Sequence, residues 1–306
     1  MPAVPFLTAD DLAGRLDWSA LAEAIAAGHR GPRPTSGDLF LARGPDTLQA
    51  RAAWVEGLGG AVKSFTVIAG NAARGLPSVQ GALVLYAADT GAVEAVIDSD
   101  LVTHWKTAAD SLLGALHLAP PGARRLLVIG AGAVAASLVE ADRAGFPGIA
   151  AQVWNRTPAR AAALAAATGA IVAPDLPEAV AGADVVAAAT MAREPVVLGR
   201  WLRPGQHLDL VGAYRHDMRE ADDAALRRAR IFVDSRDSAA HLGEIADPLA
   251  RGVITEADVL GDLHDLVAGR AGRDDPEEIT LYKNAGGAHI DLMVGRAILA
   301  AWRNEA

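Results

Sequence analysis

The chain has no cysteine, which excludes disulfides, thiolate nucleophiles and Cys-based zinc sites. It has no apolar run as long as a bilayer span, and no basic N-terminal stretch leading into a signal-like apolar segment. It has no excess of positive charge. The formal net charge is −9 at pH 7 and the pI about 5.4, so a nucleic-acid-binding surface is not expected, although a local cationic pocket for a small anion is compatible with both. The eight histidines show neither HxH nor HExxH spacing, and no catalytic metal is expected. There are no internal repeats and no low-complexity linker longer than Gly269–Pro276. A cytoplasmic protein with no membrane and no nucleic-acid partner is expected. Its 306 residues are enough for two domains.

What is present is a strand, a glycine turn and a helix. Arg125–Ile129 is apolar and runs into Gly130-Ala131-Gly132-Ala133-Val134-Ala135. Gly130 permits a tight turn, Gly132 lets backbone N–H groups approach a pyrophosphate, and Ala135 is small enough for close helix–strand packing. The helix expected over Ala133–Ala144 turns its partial positive end to the phosphates. A second strand, Ala150–Trp154, ends at Asn155-Arg156-Thr157, where the adenosine ribose of a dinucleotide belongs. NAD sites usually carry an acidic residue there. A neutral Asn followed by an Arg fork favours NADPH, with NADH possible but less preferred. The plainer reading of Arg156 is a surface arginine beside a helix start.

Further strands are expected at Ala170–Ala173, Asp184–Ala189, His207–Gly212 and Arg230–Asp234, with helices at Pro158–Thr168 and Leu176–Ala181. This alternation predicts an α/β, Rossmann-type, doubly wound parallel sheet. The first 120 residues read differently. An amphipathic helix over Ala9–Ala27 is followed by alternating segments at Asp38–Arg43, Leu48–Glu56, Ala61–Ile68, Gly81–Ala87 and Ala92–Asp98, the last two joined by a hairpin at Ala88–Gly91. A helix from Ser99 or Thr103 to His117 leads to a boundary at Pro120-Pro121-Gly122. The expected domains are therefore 1–119, an α+β antiparallel-sheet domain joined by a C-terminal helix over 288–306, and 120–287, the nucleotide-binding domain.

Several short stretches resemble, in order and spacing, the ornithine cyclodeaminase/mu-crystallin family. They are Val62-Lys63, Gly75-Leu76-Pro77-Ser78, Asp89-Thr90-Gly91, Thr103 through Thr107-Ala108-Ala109, and Gly130 through Ala135. Later come Val211-Gly212-Ala213, Arg219-Glu220 and Ile279-Thr280-Leu281-Tyr282-Lys283. The resemblance covers nearly the whole chain. It implies a substrate and dimerisation domain, a Rossmann domain and a homodimer built through the first. The family holds cyclodeaminases, ketimine reductases, amino-acid dehydrogenases and dehydratase-like members, so the reaction is not settled by membership, and a mu-crystallin-like protein that holds NADPH and a small ligand with little turnover is a further alternative.

Two departures narrow the choice. Where the cyclodeaminases carry an aspartate and then a lysine after the glycine turn, this chain has Tyr214 and Met218. A phenol with an ordinary pKa near ~10 is a poor substitute for a carboxylate in handling amines. The family's Arg before Thr-Ala-Ala is Lys106 here. The stretch Leu281–Met293 looks most like the Δ1-pyrroline-2-carboxylate/Δ1-piperideine-2-carboxylate reductase branch. The resemblance then implies Lys63 as proton donor (water being the alternative), and Arg43, Ser78, Lys106, Tyr214 and His289 as substrate contacts. Cofactor contacts are implied at Thr107, Gly130, Ala131, Gly132, Ala133, Val134, Asn155, Arg156, Thr157, Thr190, Met191 and Gly212. Each has a plainer reading: a solvated strand lysine for Lys63, a helix-surface lysine for Lys106, a local pair with Asp46 for Arg43, a helix-cap or interface histidine for His289, and a solvated loop pair for His216 and Asp217.

Overall fold

The computed structural model describes residues 3–304. Two compact units are formed, Met1–Lys106 with Gly287–Ala306, and Thr107–Gly286.

In the first unit, six strands pair in the order β1-β6-β5-β4-β3-β2: β1 (Phe6–Leu7), β2 (Thr35–Arg43), β3 (Asp46–Val55), β4 (Gly59–Val67), β5 (Val79–Tyr86) and β6 (Val93–Asp98). All neighbours are antiparallel except β1, which lies parallel to β6. One face of the sheet is covered by the C-terminal helix Ala288–Arg303, against which α1 (Trp18–His29) packs in turn, and these elements bury Leu21, Ile25, Ile290, Val294 and Ile298 with Leu83, Leu85 and Ile97. The helix expected over Ala9–Ala27 is two pieces, a 3-10 turn at Asp10–Leu12 and α1. The backbone leaves helical geometry at Ala13 (ψ 120°), and Asp17 starts a new helix by accepting from the Ala20 N–H at 2.9 Å.

The second unit holds an all-parallel sheet of eight strands in the order β13-β12-β14-β11-β10-β7-β8-β9. They are β7 (Arg125–Ile129), β8 (Ala150–Trp154), β9 (Ile171–Val172), β10 (Val185–Ala188), β11 (His207–Leu210), β12 (Ala229–Val233), β13 (Val259–Gly261) and β14 (Ile279–Lys283). From β7 the order runs one way through β8 and β9 and the other way through β10 and β11. The crevice at the strand ends of β7 and β10 is therefore the switch point where such sheets bind ligands. Helices α3 (Ala133–Gly145) and α4 (Pro158–Thr168) follow β7 and β8.

The expected boundary at residue 119/120 differs from the observed one, which falls inside α2 (Ser99–Leu118). The reason is β14, a fully buried strand that the apolar pattern did not reveal. It draws the second half of α2 into the second unit. The Thr280 hydroxyl donates to Leu118 O at 2.9 Å, Asn284 Nδ2 donates to Thr107 O at 2.9 Å, and Gly114 lies against the Tyr282 ring.

Candidate functional site

Within the second unit, Gly130, Ala131, Gly132, Asn155, Arg156, Thr190 and Met191 line one cleft of about 640 Å³. Gly130 has φ +124°, and a Cβ there would stand 2.4 Å from Ala189 O, so only glycine allows β7 to turn so close to the end of β10. Gly132 lines the cleft and caps α3 with no side-chain cap hydrogen bond, and a Cβ on Gly132 would meet open space. Ala135 is fully buried, as close helix–strand packing demands. This is a cradle of donors with room in front of it, and it fits a pyrophosphate.

At the end of β8, Asn155 Nδ2 donates to Thr157 O at 3.1 Å and folds the turn into α4. Arg156 is exposed on the cleft wall, and so is Arg160, four residues on, which sequence reasoning missed. Among the described residues neither forms an ion pair, so two guanidinium forks line the cleft with no carboxylate partner. Arg193 also lines the cleft and lies 3.6 Å from Asp217, which Arg215 holds at 2.8 Å. Asp217 is thus engaged by Arg215 of its own loop and by Arg193 of the segment that follows β10. Ala133, Val134, Thr157, Thr107 and Gly212 are not among the cleft's lining residues. Thr107 accepts from Asn284, and Gly212 donates its N–H to Glu220 Oε2 at 2.6 Å. Tyr214 is 55% exposed in the loop after β11, and Met218 is buried.

The first unit holds a buried basic cluster. The chain has three lysines, Lys63, Lys106 and Lys283, and all three are buried. Lys63 Nζ donates to Asp291 Oδ1 at 3.2 Å and to Thr103 Oγ1 at 2.7 Å, and the Thr103 hydroxyl donates to Ser99 O at 2.7 Å. Three elements meet at this ammonium: β4, the start of α2 and the C-terminal helix. Burial pushes the Lys63 pKa down; Asp291 opposes that, while the Lys106 and Arg51 charges push the same way as burial. Burial pushes Asp291 up, but Lys63, Lys106 and Arg51 outweigh it and hold the carboxyl below its usual range. Lys63 is therefore not the solvated strand lysine that alternation alone allows.

Asp291 and Arg51 are the residues sequence reasoning missed. Arg51 lies directly across from Lys63 in the β3–β4 register, a signal available only once the pairing is known. Asp291 is three residues into the C-terminal helix, inside a stretch read only for its resemblance. Arg43 stands apart. Its side chain is 86% exposed and pairs with Asp46 at 3.1 Å, the plainer of its two readings. Ser78 is half-buried at the entry to β5, where its carbonyl accepts from the Ile68 N–H at 2.8 Å. His289 is buried, its ring edge-on to His29 at 5.2 Å.

The profile of the ornithine cyclodeaminase/mu-crystallin family matches residues 48–306. A Δ1-pyrroline-2-carboxylate reductase of Paracoccus denitrificans is 52% identical over 304 residues, 97% of this chain and 96% of that protein. The ketimine reductase mu-crystallin of Mus musculus is 36% identical over 242 residues, 78% of this chain and 75% of that protein. A solved structure of Thermococcus litoralis Δ1-pyrroline-2-carboxylate reductase in complex with NADH and L-proline superposes with a TM-score of 0.90 at 26% identity, covering 99% of this chain and 98% of that one. With its sequence and its fold both matched over nearly their full length, this chain belongs to the ornithine cyclodeaminase/mu-crystallin family.

Proposed function

We propose that this protein is an imino-acid reductase that uses NADPH to reduce a small cyclic imine bearing an adjacent carboxylate. The substrates are Δ1-pyrroline-2-carboxylate and Δ1-piperideine-2-carboxylate, and the products are L-proline and L-pipecolate. The observation that carries this reading is the buried charge balance at Lys63. Lys63, Lys106 and Arg51 face one ionised carboxylate, Asp291, and Arg51 has its own partner in Asp38 at 3.1 Å, which leaves one positive charge in excess at the buried lysines. A substrate carboxylate neutralises it, with Lys106 as a point charge.

Lys63 delivers the proton to the imine nitrogen. Its lowered pKa makes it a better donor than an ordinary lysine, and Asp291 and Thr103 aim the ammonium. When bound, the reduced nicotinamide supplies the hydride. The glycine cradle holds its pyrophosphate, and Arg156 with Arg160 selects the 2′-phosphate of NADPH over the free hydroxyl of NADH. Names of relatives support the reaction class: the one at 52% identity is a reductase of this imine.

A homodimer is the second part of the proposal. All nine residues of the edge strand β2 are exposed, among them Leu39, Phe40 and Leu41, with Leu48, Trp54 and Val79 nearby on the same sheet. A long apolar edge of this kind calls for a partner, and a second copy of the chain supplies the same edge.

The reaction is tested by following NADPH absorbance with Δ1-pyrroline-2-carboxylate, then assaying ornithine with NAD for ammonia. Loss of absorbance in the first alone supports the reductase. Ammonia release in the second replaces it with a cyclodeaminase, and cofactor binding without turnover in either makes the chain a binding protein.

A further inference from the structure

Glu220 is fully buried in the loop after β11 and is not among the residues lining the cofactor cleft, yet it is bonded to one of them. Its Oε1 accepts from the Thr190 N–H at 2.6 Å and the Thr190 hydroxyl at 2.7 Å, and its Oε2 accepts from the Gly212 N–H at 2.6 Å. Thr190 follows β10 and lines the cleft; Gly212 follows β11. One carboxylate thus ties together the two segments that leave adjacent strands at the sheet's ligand-binding end.

The contact between those segments is as close as a backbone allows. A Cβ on Gly212 would lie 2.0 Å from Thr190 O and 2.6 Å from Glu220 Oε1. Glu220 is itself held, its N–H and that of Ala221 donating to the Glu244 carboxylate at 2.6 and 3.1 Å. The charged groups facing it are Glu244 and the buried Lys283, whose ammonium donates to Leu210 O at 2.9 Å at the end of β11. Three donors on two oxygens suit an ionised carboxylate, since a protonated one must turn an O–H toward an N–H or give up an acceptor.

We propose that Glu220 is a positioning residue: its carboxylate braces the Thr190 and Gly212 segments against each other and so holds the cleft wall in the shape that receives the cofactor. This rests on the reading of the cleft as a cofactor site. Lys283 is the buried counter-charge that favours the ionised brace, while Glu244 opposes it.

The test is NADPH affinity by fluorescence titration between about pH 6 and 8.5 on the purified full chain, with thermal melting in parallel. Burial pushes the Glu220 pKa up to about 7, so wild-type affinity is expected to weaken toward the acid end. Glu220→Gln keeps the shape but replaces one acceptor oxygen with a donor. It is expected to raise the NADPH Kd about tenfold at the alkaline end and to remove the pH dependence. Thr190→Val removes the hydroxyl that donates to Glu220, and with it a long 3.4 Å acceptor for the Ala192 N–H, and is expected to raise the Kd roughly threefold; it carries the test if the first variant does not fold. A variant that binds like wild type, with the same pH dependence, overturns the brace and leaves the cofactor site standing. Wild type that binds neither NADPH nor NADH overturns the cofactor reading, and the brace with it.

Discussion

Lys63 donates to Asp291 across 3.2 Å, joining two residues 228 positions apart in the chain. The pair stands within reach of the Lys106 and Arg51 charges, and this arrangement decides what Lys63 is. A lysine alone in a buried place tends to give up its proton, and a lysine locked to one carboxylate keeps it. Here burial and two like charges work against a single counter-ion, so Lys63 holds its proton less tightly than an ordinary lysine.

Replacing Lys63 with Met removes the proton donor while leaving the nucleotide cleft untouched. Turnover of Δ1-pyrroline-2-carboxylate is expected to fall by about 100-fold or more, with NADPH still bound. Steady-state rates and a fluorescence titration measure the two effects separately, and near-normal turnover removes the assignment. In Asp291→Asn the counter-ion is lost, so the Lys63 pKa falls further and the alkaline limb of the rate profile moves to lower pH. A limb that stays in place excludes Lys63 as the group it reports.

The choice between nicotinamide cofactors is read at Arg156 and Arg160. Alanine at either position is expected to weaken NADPH by roughly tenfold and to change NADH by less than about twofold. Equal losses for both cofactors would show that the arginines do not touch the 2′ position.

Stability should decline as pH rises through neutrality. Burial pushes Asp209 up to about 7 from 3.8, and Glu220 up to about 7 from 4.5. At these two sites the folded chain holds more protons than the unfolded one between the ordinary carboxylate range and pH 7, so they lower stability as pH rises across that window; His207, pushed down to about 3 from 6.5 by burial, works the other way and offsets part of this below about pH 6.5. Asp223 works oppositely: Arg251 and Arg219 hold it well below the usual range, so its contribution is lost only in strong acid. Thermal midpoints measured from about pH 5 to 8 should drop, and Asp209→Asn should reduce the drop. A flat profile would mean that these carboxyls keep ordinary values.

Phe40 sits in the middle of the exposed edge strand. Phe40→Glu is expected to convert a dimer to a monomer in light-scattering chromatography without lowering the thermal midpoint of the second unit's fold. Wild type that elutes as a monomer at about 10 μM rules out the dimer at that edge.

The strand–turn–helix around Gly130 was legible because every requirement in it is local. β7, β8 and α4 span the predicted residues, and the hairpin at Ala88–Gly91 joins β5 to β6. β14 was not legible as a strand. Thr280, Tyr282 and Lys283 are polar residues buried at the sheet's centre, satisfied by His207, Asp110 and Leu210 O, and no periodicity announces such partners. Arg43 and Arg51 show the same limit. Both lie on early strands, and only the β3–β4 register puts Arg51 opposite Lys63 while Arg43 ends a strand beside Asp46.

By itself, then, the order of residues determined the nucleotide turn, the two kinds of sheet and the absence of thiol chemistry, since these depend on neighbours a few positions apart. Only tertiary structure decided which carboxylate meets Lys63, where α2 divides and what Glu220 holds. Those choices bring charged and polar groups together from distant segments, and their energies depend on burial and distance that exist only once the chain has closed.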